Sequence, residues 1–148
     1  MLICGVELKG KEAIISLLSL DKGVFLVPDC RQRSFTVSAS EDRQSIKDFS
    51  FAFAKLVEDY KIEQVVMIGR AQKGKFMGSA TSFKLEAVLQ LLDIPVHIMS
   101  TTRIKAQIKR NPVQVEFDSL GIKTFQKPAF NVAYAYHHFL QYGDPVEE

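Results

Sequence analysis

Two short apolar runs, joined by a tight turn, open the chain. Met1-Leu-Ile-Cys-Gly-Val leads into Glu7, Leu8 and a Lys9-Gly10 turn, and Ala13-Ile14-Ile15-Ser16-Leu17-Leu18 follows at once. This pattern specifies a β-hairpin whose first strand delivers a carboxylate close to its end. A carboxylate is expensive to bury unless it is paired or holds a metal. Glu7 is therefore either one ligand of a catalytic acid cluster or the remnant of one.

The order of elements follows from punctuation and periodicity. Asp21-Lys22-Gly23 is a turn, and Val24-Phe25-Leu26-Val27 is a third strand stopped by Pro28. Residues 29–40 are polar, with Phe35-Thr36-Val37 as a short strand or strand continuation. Ser40 is placed to cap a helix that begins with Glu41 and Asp42 and runs to about Tyr60, with Ile46, Phe49, Phe53, Leu56 and Val57 on one stripe. Gln64-Val65-Val66-Met67-Ile68 is a continuous apolar strand. A basic loop from Gly69 to Gly78 follows, then a helix capped by Ser79 or Thr81 that runs to about Leu92 and buries Phe83, Ala87 and Leu91. Ile94 to Met99 is the next strand. Ser100-Thr101-Thr102 caps a basic helix from Arg103 to Arg110, which Asn111-Pro112 ends. Gly121 and Pro128 bound the least regular stretch, residues 113–127, and Pro128 starts a last helix to Tyr142. The succession predicts an α/β fold, a mixed five-stranded sheet with helices on both faces. Residues 1–148 are expected to form one domain, with residues 144–148 as a frayed acidic tail.

Composition narrows the function class. With 47% hydrophobic and 24% charged residues, the chain has the make-up of a water-soluble globular protein, and no apolar run approaches a membrane helix. The N-terminus lacks a basic segment ahead of its apolar run, so a cytoplasmic location is expected. Cys4 and Cys30 lack a second pair at metal-ligand spacing, and Cys4 is expected to be a buried small hydrophobe. The net charge of +2 is uneven. Residues 69–112 carry eight basic side chains (Arg70, Lys73, Lys75, Lys84, Arg103, Lys105, Lys109, Arg110) against Glu86 and Asp93. A basic middle third suits either an anionic partner or a solvated face.

The order of elements, with an acid ending the first strand, resembles the ribonuclease H-like fold. The stretch from Val65 to Ile68, then Gly78-Ser79-Ala-Thr-Ser-Phe-Lys84-Leu-Glu86, then Ile94-Pro95-Val96, then Ser100-Thr-Thr-Arg103-Ile-Lys105, is similar to the matching part of RuvC-type Holliday-junction resolvases. The closing helix, Phe130-Asn131-Val132-Ala133-Tyr134, resembles their final helix. The chain also resembles a small bacterial family of unknown function that shares this fold. The resemblance implies two Mg²⁺ ions, or Mn²⁺ in their place, held by an acid from the first strand, one from the end of the fourth strand and one or two from the last helix. Those positions fall here on Glu7, on Ile68-Gly69-Arg70 and on Asn131, alone or with Tyr134. The spacing departs from the family pattern, because Leu8-Lys9 precede Gly10. Glu86 is a further candidate, and the catalytic set of an active enzyme would be Glu7, Glu86 and Asn131, with Glu7 on the metal. A different reading pairs Glu7 with Arg70 or Lys9 in an ion pair that replaces the catalytic site. His97 is the histidine nearest the strand ends, and its strand context suggests a core residue; His137 and His138, being adjacent, face different directions.

The basic loop lacks the P-loop pattern. Arg70, Lys73, Lys75, Ser79, Lys84, Thr102, Arg103 and Lys105 nevertheless gather around two helix starts at strand ends, where open α/β sheets bind ligands. Phe76 and Met77 at the loop tip are placed to stack on a base, to insert at a junction, or to pack in an interface. The readings that follow are a nucleic-acid-associated protein with weak or no nuclease activity, an active metal-dependent endonuclease, or a non-catalytic interaction module. The partner would be structured or single-stranded nucleic acid, with no membrane. Phe49, Phe51, Phe53 and Phe83 exceed what one helix face usually buries, which suggests a homodimer.

Overall fold

The structure, a computed structural model, describes residues 1–145. Strands β1 (Leu2–Lys9) and β2 (Glu12–Asp21) form the expected hairpin, in register from Leu2 opposite Ser19 to Lys9 opposite Glu12. Gly10 turns the chain at φ 60°, a left-handed conformation that glycine adopts without steric cost. β3 (Val24–Leu26) continues the meander, and β4 (Ser34–Thr36) pairs with the other end of β2, opposite Glu12 to Ile14. β5 (Gln64–Ile68) runs parallel to β1, and β6 (Val96–Met99) runs parallel to β5. The sheet order is β3-β2-β1-β5-β6, with β4 beside β2. The expected mixed sheet is present, and the segment around Phe35 adds a sixth strand to it.

Side-chain alternation along β1 divides the interior in two. Cys4, Val6 and Leu8 face helices α1 (Arg43–Tyr60) and α2 (Ala80–Leu89), in a core with Phe35, Phe49, Phe53, Leu56, Leu85 and Leu89. Ile3, with Val66 and Leu18, faces α4 (Lys127–Tyr142) and α3 (Thr101–Arg110). Gly5 shares that second face: a Cβ there would collide with the Ala129 carbonyl and come within 2.9 Å of Ala133 Cβ. α4 therefore crosses β1 at backbone contact. It runs opposite to β1, since Tyr136 Oη meets Gln64 Oε1 at 3.1 Å beside the start of β1, whereas Gln126 Nε2 donates to the Ile15 carbonyl at 2.9 Å nearer its end. The start of α4 thus lies at the Glu7 end of β1.

Several local expectations are corrected. Asp42, not Ser40, caps α1, accepting from the amides of Gln44 and Ser45, so the acids precede the helix. Ser79 caps α2 as one of the two proposed residues, but the buried stripe is Ser82, Leu85 and Leu89; Ala87 and Leu91 are exposed. Phe83 is partly buried, its ring covered by the Arg70 guanidinium 4.6 Å away. Residues 113–127 contain two short 3₁₀ turns, Asp118–Leu120 and Thr124–Gln126. Cys4 is fully buried and Cys30 partly so, both as free thiols. At the acidic tail, Asp144 is held by Arg103 Nε at 3.2 Å instead of hanging free, and residues 146–148 lie outside the described residues. No described helix is long and apolar enough to cross a membrane.

Candidate nucleic-acid edge and the acidic position

Glu7 sits near the end of β1 on the α4 face, because it alternates with Val6 and Leu8, which face the other core. Its cross-strand neighbour is Ile14, and the register of β1 with β5 sets it level with Ile68. These apolar neighbours explain its behaviour: burial pushes the Glu7 carboxyl above its usual range, and Lys9 only partly offsets this. No described side chain makes an ion pair or hydrogen bond with Glu7.

The expected Glu7–Arg70 pair does not form. Arg70 instead turns towards α2, on the far side of the sheet from Glu7. Its guanidinium meets Glu86 Oε1 at 3.0 Å, Ser82 Oγ at 3.1 Å and the Ile68 carbonyl at 3.1 Å. The pair is largely shielded, with Arg70 12% and Glu86 16% exposed. The carboxylate of Glu86, expected in the catalytic set, is engaged by this cation and lies on the other side of the sheet from Glu7, and the donors of Arg70, expected to contact phosphate, are engaged inside the protein. Gly78 completes the arrangement, because a Cβ there would stand 2.9 Å from Arg70 Nε and 3.0 Å from Ser82 Oγ.

On α4, Asn131 is partly buried and makes no hydrogen bond to Glu7. Tyr134 donates its hydroxyl to the carbonyls of Asn111 and Pro112, at 3.0 and 3.3 Å, and is a structural residue. His97 is exposed on edge strand β6 and stacks on Tyr136 with ring centres 5.0 Å apart, so the core placement expected for it is corrected. His137 and His138 do face different ways. His137 Nε2 meets the Leu18 carbonyl at 2.8 Å, whereas His138 lies among Tyr134, Tyr142 and Phe25 with neither ring nitrogen partnered. A pair of Mg²⁺ ions requires several hard, charged oxygen ligands. The residues at the three fold positions do not fit that requirement: one carboxylate, then Ile68-Gly69-Arg70, then a neutral amide. Among the described residues no three His, Cys, Asp or Glu side chains gather into a metal-binding group.

The loop after β5 is the other half of the edge. Gly78 N–H donates to the Ala71 carbonyl at 2.8 Å and closes residues 71–77 into a projecting finger. Every residue from Ala71 to Met77 is exposed, Phe76 by 85%. Lys73 and Lys75 flank Gly74, whose φ of 93° makes the tip turn. The Lys75 ammonium stands 5.8 Å from the Phe76 ring centre. At the base of the finger, Ser79 Oγ donates to the Gly10 carbonyl at 2.8 Å and caps α2 by accepting from Ser82 N–H. That bond brings the β1–β2 turn, with exposed Lys9 and Lys11, beside the finger. Sequence reasoning missed Lys11 as a member of this edge; only the Ser79–Gly10 contact, across 69 residues, reveals it. Ser100 caps α3 on the amide of Arg103, leaving Thr102 and Lys105 exposed. Arg103 itself is engaged by Asp144 and lies over Phe139, and Lys84 donates to the Ser40 carbonyl at 3.1 Å. The cations left facing solvent on this edge are Lys9, Lys11, Lys73, Lys75 and Lys105.

The family described as Protein of unknown function (DUF3010) matches residues 1–136. The chain belongs to that family. No curated protein matches it. Among solved structures, RuvC of Thermus thermophilus superposes with a TM-score of 0.73 at 13% identity, covering 99% of this chain and all of the other. The same organism's RuvC in complex with Holliday junction substrate gives 0.68 at 11% identity, covering 97% and 98% of the two chains. Fowlpox virus resolvase with its Holliday junction gives 0.55 at 13% identity, covering 95% and 99%. At such identities the likeness is one of fold, and the DUF3010 chain has the ribonuclease H-like fold of RuvC.

Proposed function

We propose that this chain binds branched or single-stranded nucleic acid along the edge formed by the 71–77 finger, the β1–β2 turn and the starts of α2 and α3, and that it does not cleave it. The observation that carries this reading is the finger, with two lysines and an exposed aromatic at its tip and a partly buried Arg70–Glu86 pair at its base. Lysines placed this way contact phosphates without reading sequence, and an exposed ring offers a stacking surface to an unpaired base. The fold supports the reading, because two structural neighbours were solved with Holliday junction DNA. The lack of cleavage is supported by the acidic position: Glu7 alone cannot offset the charge of two divalent ions, and its own burial disfavours the ionised form. We further propose that the chain works as a homodimer in the cytoplasm.

Loop variants test the interface. Lys73→Gln with Lys75→Gln is expected to weaken binding to a four-way junction and to lower the slope of log K against log salt by about 2, since each duplex phosphate contact contributes about 0.9. Phe76→Ser is expected to weaken binding while leaving that slope unchanged. Unchanged affinity in both variants would contradict this interface.

A further inference from the structure

The outward face of α1 serves neither the core nor the nucleic-acid edge. Helical spacing sets Lys47, Phe51, Ala54 and Glu58 on one stripe, opposite the buried Phe49, Phe53 and Leu56. Phe51 is 74% exposed. Beside the stripe runs a groove of about 400 Å³ between α1 and the end of α2, with Ala54, Val57, Val88 and Leu92 as its apolar part, Ser50, Glu58 and Asp93 as its polar part, and Leu91, which is 82% exposed, at its rim. Neither Lys47 nor Glu58 makes an ion pair among the described residues.

We infer that this face binds a second copy of the chain, with the two α1 helices antiparallel about a twofold axis between Phe51 and Ala54. The inference deepens the homodimer reading above and rests on it. A twofold interface must be its own complement, and this stripe is. Reversed upon itself, it sets Phe51 of each copy over Ala54 of the other, a large ring over a methyl group and the apolar part of the groove beside it, formed by Val57, Val88 and Leu92. The same reversal sets Lys47 of each copy against Glu58 of the other, so one opposite-charge contact closes each end. A parallel arrangement would oppose Lys47 to Lys47 and Glu58 to Glu58, which fixes the orientation by charge. Exposed aromatics are enriched at such interfaces, and a core of Phe51, Leu91 and the groove with a charged rim has their usual anatomy.

Light scattering coupled to size exclusion reads the outcome on the full chain. The unaltered protein is expected at the dimer mass, and Phe51→Glu at the monomer mass with an unchanged circular-dichroism spectrum and a melting temperature that no longer depends on protein concentration. Lys47→Glu and Glu58→Lys each set like charges at both ends of the stripe, and each is expected to raise the dimer dissociation constant roughly tenfold or more. Mixed in equal amounts, these two variants are expected to recover the dimer, because one chain is then acidic and the other basic at both ends. A monomer for the unaltered chain overturns the homodimer itself. A dimer indifferent to Phe51→Glu and to both charge reversals overturns this face while leaving the homodimer. Failure of the mixture to recover the dimer overturns the antiparallel arrangement.

Discussion

Glu7 and Arg70 stand at two of the positions expected from the sequence to carry a catalytic acid cluster, and their surroundings differ. Glu7 stands beside Ile14 and level with Ile68, and burial raises its pKa. An acid whose folded pKa lies above its unfolded value holds its proton more tightly when folded, so stability falls as pH rises between the two values. Glu7→Gln is therefore expected to stabilise the protein at pH 7, by less than about 1 kcal/mol because solvent screens a half-exposed group, and to have no such effect below the ordinary glutamate range. Urea denaturation at both pH values checks this. Arg70 and Glu86 behave in the opposite sense, since each is shielded and needs the other. Arg70→Ala is expected to cost about 3–5 kcal/mol by leaving Glu86 buried and unpaired, whereas Arg70→Met with Glu86→Leu is expected to restore much of the loss. Equal cost in the single and double variants would show that the unpaired Glu86 charge is not what destabilises Arg70→Ala. His138 gives a third case. Its ring nitrogens have no partner, and burial lowers the pKa of both His137 and His138 from 6.5. A folded state that resists protonation loses stability as pH falls through 6.5. His138→Phe is expected to add about 1 kcal/mol by removing two unpartnered nitrogens from among Phe25, Tyr134 and Tyr142, and to blunt the acid loss in a thermal melt between pH 7 and pH 5.

At the scale of elements, the hairpin, the α1 stripe and the parallel β5 and β6 were legible in the sequence because apolar periodicity and turn residues are local signals. The buried face of α2 was not. Its apolar residues support more than one phase; the one adopted buries Ser82, Leu85 and Leu89 and sets Phe83 beneath the Arg70 guanidinium. The acidic position was half legible. The loss of carboxylates at Ile68-Gly69-Arg70 and at Asn131 is visible from residue types alone. The partner of Arg70 is not, because Glu86 lies 16 residues away and nothing local distinguishes it from an exposed helical acid. His97 was misplaced for a similar reason, since an apolar strand context does not tell whether the strand is central, and β6 is an edge. β4 escaped a firm assignment because a three-residue strand has no period to detect.

The whole molecule joins a mixed sheet of ribonuclease H-like fold, a single partly buried acid near the end of its first strand, and a basic, aromatic finger on the same edge. Helix α4, seated on Gly5 at backbone contact, fixes the relation between the acid position and the rest of the sheet. We propose above all that this edge binds nucleic acid without cutting it. The most direct measurement is fluorescence anisotropy of a labelled four-way DNA junction titrated with the protein across a range of salt in Mn²⁺, with the recovered DNA then resolved on a denaturing gel. The account predicts binding that weakens steeply and linearly in log salt, and intact strands on the gel. Cleaved strands that Glu7→Gln leaves whole, or no binding at the lowest salt, would contradict it.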